Sequence, residues 1–386
     1  MNSNPARSAP DIPFTIGIEE EYLVVDRETR DLIHEAPPEM IEQCRERLGD
    51  QVTTELMQCQ IEVGTVVCGT VQDARADLAR LRRTVSAAVR EHGFAIIAAS
   101  THPFAKFREV RRTRKERYDT LAVQLQEVAR RLLISGMHVH VGLDGDEVRN
   151  DFMGQVSYVL PHFLALSTSS PFWQGNDTGL KSYRIAVWDE MPRTGLPERF
   201  ESFGEYQRHV QILVDCGVIG DSTELWWDIR PSVHFPTLEM RIPDLCTRLE
   251  DAICIAALYR CWLRLLYRLK RSNQRWRRYP RLLIEENRWR AHRFGIDEGL
   301  IDFGRGEMVP CPELVDEIIE LVREDAEHFG CVAEIEHART IIARGTSAHW
   351  QVKTYRAALA DGADEREALV RVVDMLVETT LAGCEG

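Results

Sequence analysis

Two glutamates stand two residues apart in the stretch FTIGIEEEYLVV, which spans residues 14 to 25. In an extended strand Glu19 and Glu21 lie on one face, about 7 Å apart, because each residue advances the chain by roughly 3.3 Å. Like charges this close repel each other, so the pair needs a cation or a proton. Divalent cations prefer oxygen ligands, so the stretch predicts a metal site, with a solvated strand face as the plainer alternative.

The middle glutamate of the triplet faces the other way. In the same strand Glu20 shares its face with Ile16, Ile18, Tyr22 and Val24, most of which are apolar. We therefore expect an ion pair or an edge position for Glu20, and no role as a metal ligand.

Two histidines alternate in a similar manner in ISGMHVHVGL, residues 134 to 143. His138 and His140 share a strand face with Gly136 and Gly142. A single histidine in a strand is usually a hydrogen-bonded structural residue. Two histidines on a glycine-flanked face are better suited to binding a metal or donating to a phosphoryl oxygen, and we predict that chemistry here.

Two short strand-like runs follow the opening strand, and each offers one carboxylate. Glu55 lies in residues 51–57 and Glu62 in residues 59–63, each on the more polar face of its run. Both carboxylates are therefore candidates for the same site as the opening pair.

A carboxylate and a guanidinium share a face in the run TLEMRI, residues 237 to 242. These side chains are Glu239 and Arg241, and a cross-strand ion pair is the structural alternative to a role in a site. Arg230, which directly precedes a proline, and Arg184, in a turn-rich stretch, are candidate cations for an anionic substrate group.

Eight charged or imidazole side chains from these five segments all lie on the strand faces opposite the apolar residues. They are Glu19, Glu21, Glu55, Glu62, His138, His140, Glu239 and Arg241. This pattern predicts a largely antiparallel sheet whose apolar face packs on helices and whose other face lines a cleft. Five carboxylates in one cleft need two or three divalent ions. Mg²⁺ fits, with Mn²⁺ as an alternative, because it bridges substrate phosphates. We therefore predict phosphoryl transfer from a nucleotide.

The elements around these strands read mainly as helices. Residues 71–92 form a strongly amphipathic pattern that Gly93 ends, and residues 146–170 read as one long buried helix. Residues 202–217 are helix-like, and the chain from Leu249 onward is expected to be helical to its end. In ENRWRAHRFG, Asn287 and Trp289 lie near a helix end and are predicted to border a nucleotide.

Two basic runs carry no clear chemistry. The run 106–117 is predicted to be a solvated, mobile segment, with a lid that meets phosphate as the alternative. The run 264–281 carries eight positive charges, and we expect helix surface and salt bridges in preference to a nucleic-acid patch.

The composition places the chain among ordinary globular proteins. Its 386 residues are 44% hydrophobic, and 61 acidic against 48 basic residues give a net charge of −13, which does not favour a nucleic-acid partner. Residues 1–13 are expected to be a disordered lead without a signal peptide, followed by a single catalytic domain, 14–386, with a sheet-rich part, 14–250, and a mostly helical part, 251–386. No apolar run suits a membrane span, and ten scattered cysteines indicate reduced thiols, so we expect a soluble cytoplasmic protein.

Five motifs together resemble the carboxylate-amine ligase family, which is related to type 2 glutamate-cysteine ligase within the glutamine synthetase superfamily. They are GIEEEY, SGMHVHVG, SPFWQGNDTG with SYR, LEMRIPD and ENRWRAHRFG. The resemblance implies an α+β catalytic domain with a curved antiparallel sheet of about six strands, helices on its outer face and a helical C-terminal part. ATP would enter one end of the resulting funnel and an amino acid the other.

The resemblance also implies residue roles. It makes Glu19, Glu21, Glu55, Glu62, His138 and Glu239 metal ligands, and it places His140 and Arg241 at the phosphate. From their own sequence context we add Arg230, Asn287 and Trp289 as nucleotide-binding residues and Arg184 as a catalytic residue. The chain reaches its first acidic strand within 21 residues. We therefore expect no separate N-terminal domain and a homodimer in place of a ring.

The implied reaction is ATP-dependent amide formation through an acyl phosphate, with glutamate and cysteine as the suggested substrates. A metal-dependent amide hydrolase using the same carboxylates is the main alternative. A guanidino kinase and a metal-storing binding protein are more distant alternatives.

Overall fold

The computed structural model describes residues 12–385. Thirteen strands lie within these residues: β1 (Ile16–Asp26), β2 (Val52–Thr54), β3 (Gln60–Gly64), β4 (Phe94–Ile97), β5 (Met137–Gly142), β6 (Phe172–Trp173), β7 (Asn176–Asp177), β8 (Thr194–Gly195), β9 (Trp226–Trp227), β10 (Ile229–Pro231), β11 (Thr237–Met240), β12 (Leu300–Asp302) and β13 (Glu307–Val309).

Seven of the strands form one sheet around β1. The order is β10-β11-β5-β1-β3-β2, and β4 pairs with the last four residues of β1. Every neighbouring pair is antiparallel. The predicted antiparallel sheet is confirmed, with seven strands where about six were expected.

The central strand alternates as its sequence predicts. Ile16, Ile18 and Glu20 are buried on one face, whereas Glu19 and Glu21 on the other face are only partly buried. The alternation follows from the two-residue period of a strand, and it turns the carboxylates away from the helices that cover the apolar face.

Glu20 is fully buried and forms an ion pair with Arg82 at 2.6 Å. The hydroxyl of Tyr22 donates to the same carboxylate at 2.7 Å. The expected ion pair of Glu20 is therefore confirmed. Arg82 also donates to the carbonyls of Thr247 and Cys246, so this pair fastens the sheet to the segment that leads into the longest helix.

Fourteen α-helices lie within residues 12–385. They are α1 (Pro38–Leu48), α2 (Val71–Arg90), α3 (Glu116–Leu125), α4 (Glu127–Arg131), α5 (Asp146–Val156), α6 (Leu160–Ser167), α7 (Tyr183–Trp188), α8 (Phe203–Asp215), α9 (Leu249–Arg271), α10 (Arg281–Phe294), α11 (Cys311–Phe329), α12 (Val332–Arg344), α13 (Ser347–Ala360) and α14 (Glu365–Thr380).

Helices α2 and α9 cover the apolar face of β1. The first is the predicted amphipathic helix, and Thr70 and Asp73 form a capping box at its start. The side chain of Thr70 accepts from the amide of Asp73 at 3.0 Å, which satisfies a backbone donor that the helix leaves unpaired.

Two predicted helical stretches are interrupted. Residues 146–170 form α5 and α6 with a turn between them, because Pro161 in the first turn of α6 has no amide hydrogen to continue the ladder of α5. The chain after Leu249 also contains the hairpin β12–β13. At its start Gly299 has φ +77°, and a Cβ there would lie 2.3 Å from the carbonyl oxygen of Val309.

The predicted lead, residues 1–13, falls outside the described residues except for its last two positions. No helix within residues 12–385 combines the length and apolar character needed to cross a bilayer. All ten cysteines are free thiols, and the Sγ atoms of Cys261 and Cys331 are 3.6 Å apart. The division into one catalytic domain with a sheet-rich and a helical part stays a prediction.

Candidate active site

One cavity of about 530 Å³ lies against the polar face of the sheet. It is lined by nine of the side chains that the sequence singled out: Glu19, Glu21, Glu55, Glu62, His138, His140, Arg230, Glu239 and Arg241. The structure therefore brings together residues that are up to 222 positions apart in the chain. Their individual roles stay predictions.

The strand register explains how these residues meet. Glu21 is paired with Glu62 across β1 and β3, and Glu19 with His138 across β1 and β5. Likewise, Glu239 on β11 stands opposite His140 on β5. Because directly opposed residues of antiparallel strands project from the same face, each carboxylate stands next to another charged or imidazole group.

Glu19 lies between the two histidines. Its carboxylate is 3.1 Å from Nδ1 of His138 and 3.3 Å from Nε2 of His140. Burial favours protonation of Glu19, but the hydrogen bonds and charges of the histidines outweigh burial and hold its pKa well below the usual value. Burial lowers the pKa of His138 to about 4, so this imidazole is neutral near pH 7.

Glu239 is held by two arginines. Arg230 donates to it at 2.9 Å, and Arg241 forms a second ion pair with the same carboxylate. Burial alone would raise the pKa of Glu239, but the two guanidinium charges outweigh that effect and lower it strongly. The cross-strand ion pair foreseen as the structural alternative thus exists, inside the cavity.

The remaining carboxylates are more crowded, although Glu21 accepts a hydrogen bond from the amide of Gly136 at 2.8 Å. Burial, with the nearby charge of Glu55, raises the pKa of Glu21 to about 7. Burial also raises the pKa of Glu62 well above its usual value, and the charges of Glu55 and Glu19 add to the effect. Glu21 and Glu62, with Glu55 beside them, are therefore crowded carboxyl groups that call for a proton or a cation.

The donor types in the cavity fit magnesium, since carboxylate oxygens are its preferred protein ligands and the crowded charge calls for a cation. The positions of these side chains fit a bound metal ion less well than their types do. Within residues 12–385, no group of three or more His, Cys, Asp or Glu side chains is placed to hold a metal ion. The reason lies in the pairs already described, because Glu19 turns to the histidines and Glu239 to the arginines.

Arg184, predicted as a catalytic cation, lies behind the cavity wall. It is 2% exposed, and its guanidinium donates to the carbonyls of Ile242 at 3.1 Å and Arg241 at 3.0 Å. The guanidinium carbons of Arg184 and Arg241 lie 5.7 and 5.9 Å from the centre of the Trp188 ring. These contacts indicate that Arg184 positions Arg241, and direct contact with a substrate stays a prediction.

Asn287 and Trp289 are not among the residues that line the cavity, and their predicted position beside a nucleotide stays a prediction. Asn287 is fully buried, and its amide exchanges hydrogen bonds with the backbone of Ile301 in β12. Trp289 is 51% exposed on α10 and packs on His292. Both side chains are thus occupied by structural contacts elsewhere.

The residue of this motif that supports the site is Arg288, which the sequence did not single out. It forms ion pairs with Asp228 and Asp189, both at 2.6 Å. The backbone carbonyl of Asp228 accepts from the amide of Arg241 at 2.8 Å. Arg288 therefore orders the backbone that presents Arg241 to the cavity.

The basic run 264–281 makes the expected salt bridges. Arg264 and Arg268 pair with Asp325, at 2.6 and 2.7 Å, and Arg278 pairs with Asp151 at 2.6 Å. The run is thus tied to neighbouring helices of this acidic protein.

The basic run 106–117 leads into a helix that the sequence reading missed. Helix α3 brings Tyr118, Leu121 and Leu125 to the cavity, and Lys115 just before it also lines the wall. Leu121 follows Tyr118 by three residues and Leu125 follows Leu121 by four, and this spacing was the available signal for an amphipathic helix.

Comparison with known proteins assigns the family. The sequence model described as glutamate-cysteine ligase family 2 matches residues 15–374. The chain belongs to glutamate-cysteine ligase family 2. A relative from Rhodospirillum rubrum, named "Putative glutamate--cysteine ligase 2", is 58% identical over 373 residues, which cover 96% of each chain.

Solved structures of two other proteins share the fold of this chain. The glutamate-cysteine ligase of Francisella tularensis, solved in complex with AMP, has a TM-score of 0.67 at 12% identity and covers 96% of this chain and 90% of its own. A bifunctional glutathione synthetase from Pasteurella multocida has a TM-score of 0.68 at 15% identity over 95% of this chain. This chain spans about half, 52%, of the Pasteurella protein.

Membership in glutamate-cysteine ligase family 2 makes the chain an ATP-dependent ligase with the glutamine synthetase-like fold. None of these relatives is described as a hydrolase, and the hydrolase alternative receives no support from them.

Proposed function

We propose that this family member joins the carboxylate of an amino acid to an amine through an acyl phosphate. The observation that carries the proposal is the cavity itself, where Arg230, Arg241 and His140 stand beside a cluster of carboxylates. Cations and an imidazole next to a cluster that calls for divalent ions suit the phosphates of a nucleotide, because phosphoryl transfer depends on positioning and charge neutralisation.

The reaction has two steps. A carboxylate oxygen of the acid substrate attacks the γ-phosphorus of ATP, the bond to the bridging oxygen breaks, and ADP leaves. The neutral amine then attacks the carbonyl carbon of the acyl phosphate, inorganic phosphate leaves, and the nitrogen loses one proton. Arg241 and His140, which both line the cavity, are proposed to stabilise the negative charge on the transferring phosphoryl group.

Magnesium is part of this proposal. Glu19, Glu21, Glu55, Glu62, His138 and Glu239 are the side chains that would hold it. When bound, the ions neutralise phosphate charge and align the phosphates for transfer. Loading would require Glu239 and Glu19 to loosen the ion pairs and hydrogen bonds described above.

Glutamate and cysteine are the substrates suggested by the family description and by the names of the relatives. Family membership constrains the reaction type more tightly than the side chains of the two substrates. We therefore propose glutamate as the first acid to assay and cysteine as the first amine.

The test measures ADP release by the full-length protein with ATP, MgCl₂ and a panel of amino acids and amines, and it identifies the product by mass spectrometry. We expect ADP and an amide whose mass equals the sum of the two substrates less one water. Arg241→Ala should lower the rate at least about 100-fold. The matched control is Arg371→Ala, which removes an exposed arginine paired with Asp361.

Two results would contradict the proposal. One is the absence of ADP with every pairing, and the other is amide cleavage without nucleotide consumption, which would indicate a hydrolase.

We also propose that the protein is a homodimer and acts in the cytoplasm. This part of the proposal rests on the resemblance to the family. Light scattering coupled to size-exclusion chromatography should give twice the chain mass of 44.3 kDa. A mass of 44.3 kDa or of a large ring would contradict the dimer.

A further inference from the structure

The two ends of the cavity differ in character. On the side of β2 and β3, at one edge of the sheet, the lining includes a group of apolar and aromatic side chains, which we call the leucine end, made of Leu56, Tyr118, Leu121, Leu125, Leu132 and Ile134; Thr53, Gln60 and Lys115 line the same side. The other end is lined by Trp188, Met191, Trp226, Arg230, Phe235 and Arg241. The carboxylates stand between them on the strands of the sheet.

The leucine end is built by three segments that are tied together. The amide of Thr113 donates to the carbonyl of Leu56 at 2.8 Å, which anchors the segment before α3 to the turn between β2 and β3. Gln60 in β3 donates to the carbonyl of Ile134 at 2.8 Å, which holds the segment before β5. Leu56 and Ile134 are 7% and 6% exposed, whereas Leu121 and Leu125 on α3 are only partly buried and present apolar surface to the cavity.

Cationic groups are placed unequally between the ends. The arginines that line the cavity stand at the far end, on β10 and next to β11. At the leucine end the lining cation is Lys115, whose ammonium donates to the carbonyl of Thr54 at 2.9 Å and lies 5.2 Å from the centre of the Tyr118 ring. A phosphate or a free carboxylate would therefore find its cations at the arginine end.

Negative charge borders the leucine end. Glu55 directly precedes Leu56, and Glu62 lies on β3 close to Glu55, whose charge contributes to its shift in pKa. An amine that enters this end would have its nitrogen drawn toward the carboxylates and its remaining atoms packed on leucine side chains.

We propose that the leucine end is the acceptor subsite of the ligase and that it takes a primary amine with an apolar body. This inference rests on the proposed function and names the class of its second substrate. An alkylamine or arylalkylamine can pack its apolar body on this surface while its nitrogen faces the carboxylates, and it carries no carboxylate of its own that would need a cation. Cysteine carries an α-carboxylate, and among the described side chains that line the cavity the cation at this end is Lys115, which is already engaged.

The test uses the full-length protein with ATP, MgCl₂, glutamate and a series of straight-chain amines from ethylamine to hexylamine, with cysteine as the comparison. ADP release and the amide product are both measured. Each added methylene should raise kcat/KM for the amine about fourfold until the subsite is filled, because each one buries further apolar surface. Hexylamine should exceed cysteine in kcat/KM.

Two variants separate the subsite from the rest of the cavity. Leu121→Gln and Leu125→Gln should each raise KM for hexylamine about tenfold and leave KM for ATP unchanged, since one polar group replaces part of the apolar wall. The matched control is Leu282→Gln, at a leucine that is 75% exposed on α10 and distant in sequence from α3. Calorimetric titration of hexylamine into protein saturated with a non-hydrolysable ATP analogue gives a readout independent of turnover.

The outcomes distinguish this inference from the function on which it rests. ADP release with cysteine and no dependence on amine chain length would overturn the apolar acceptor and leave the ligase intact. A rise in KM for ATP, instead of KM for the amine, in the two variants would assign the leucine end to the nucleotide. No ADP with any amine, together with no binding of hexylamine, would overturn both.

Discussion

The two faces of β1 bury carboxylates in opposite ways. On the helix-covered face, Glu20 is fully enclosed and matched by Arg82 at 2.6 Å and by the hydroxyl of Tyr22 at 2.7 Å. On the cavity face, Glu21 is adjacent in sequence to Glu20, yet burial and the nearby Glu55 raise its pKa to about 7. A single residue along the strand separates a satisfied charge from a crowded one.

This difference teaches how structural and functional charges can be told apart. A buried charge that serves only the fold is paired, because an unpaired one costs several kcal/mol. Carboxylates that remain crowded on one face raise the energy of the folded state unless a proton or a cation joins them. The crowded face is therefore the one prepared for a ligand.

The largest effect is expected on the helix-covered face. Glu20→Ala leaves Arg82 buried without its counter-charge and should lower the free energy of unfolding by about 3–5 kcal/mol. Urea unfolding followed by circular dichroism measures the change.

The double variant Glu20→Leu with Arg82→Met is the control for the Glu20 prediction. Removal of both charges should destabilise the protein less than Glu20→Ala does, because no charge is left unpaired. If Glu20→Ala lowers the free energy of unfolding by less than about 1 kcal/mol, the ion pair of Glu20 with Arg82 is not the main stabilising contact on this face.

The opposite pattern is expected on the cavity face. Glu62→Gln should lower ligation at least about 100-fold, the scale of a lost electrostatic contact at an active site. Its free energy of unfolding at pH 8 should stay equal or rise, because the substitution removes a charge whose pKa is raised by burial and by Glu55. Measuring ADP release and urea unfolding on one preparation tests both statements, and a large loss of stability would make Glu62 structural.

A third way to bury a titratable group is to keep it neutral, and His102 provides the example. Its Nδ1 accepts from the amides of Phe104 and Ala105, and burial lowers its pKa to about 4. The unfolded chain, with a pKa near 6.5, binds the proton first as the pH falls. Stability should therefore decrease between pH 6.5 and 4, by about 2–3 kcal/mol from this group.

The variant His102→Asn isolates that contribution, because asparagine can accept a backbone hydrogen bond but does not titrate. The difference in unfolding free energy between the parent and the variant should shrink as the pH falls from 6.5 to 4. A difference that is constant with pH would show that His102 is not the titrating group.

The smallest effect sharpens the comparison on the paired face. Tyr22→Phe removes one hydrogen bond to Glu20 while Arg82 remains in place, and it should cost about 1 kcal/mol. Thermal unfolding by calorimetry is sensitive enough to detect this loss. A cost as large as that of Glu20→Ala would shift the main support of Glu20 from Arg82 to Tyr22.

Much of the candidate site was predictable from alternation alone. The period of two residues in a strand placed Glu19, Glu21, His138, His140 and Glu239 on the polar faces of their strands, and all five line the cavity. The opposite orientation of Glu20 follows from the same rule, and its ion pair confirms it. Such predictions succeed because side-chain direction in a strand is a local property.

Other parts depended on contacts between distant segments. Arg184 was singled out as a cation for a substrate and Arg288 was not singled out, and only the structure shows that both support the backbone around Arg241. Likewise, only the structure shows that the amide of Asn287 is paired with the backbone of Ile301. The partners of these three residues lie 14 to 99 residues away, beyond any local pattern.

The sequence by itself determined which face of each strand carries charge, because backbone geometry sets that alternation residue by residue. The tertiary structure decided which charges are neutralised and what closes the cavity, since counter-ions and walls come from remote segments brought together by the packing of the sheet and helices. Thus Arg82 from α2 pairs with Glu20, and Leu121 and Leu125 of α3 line the same cavity as Glu21.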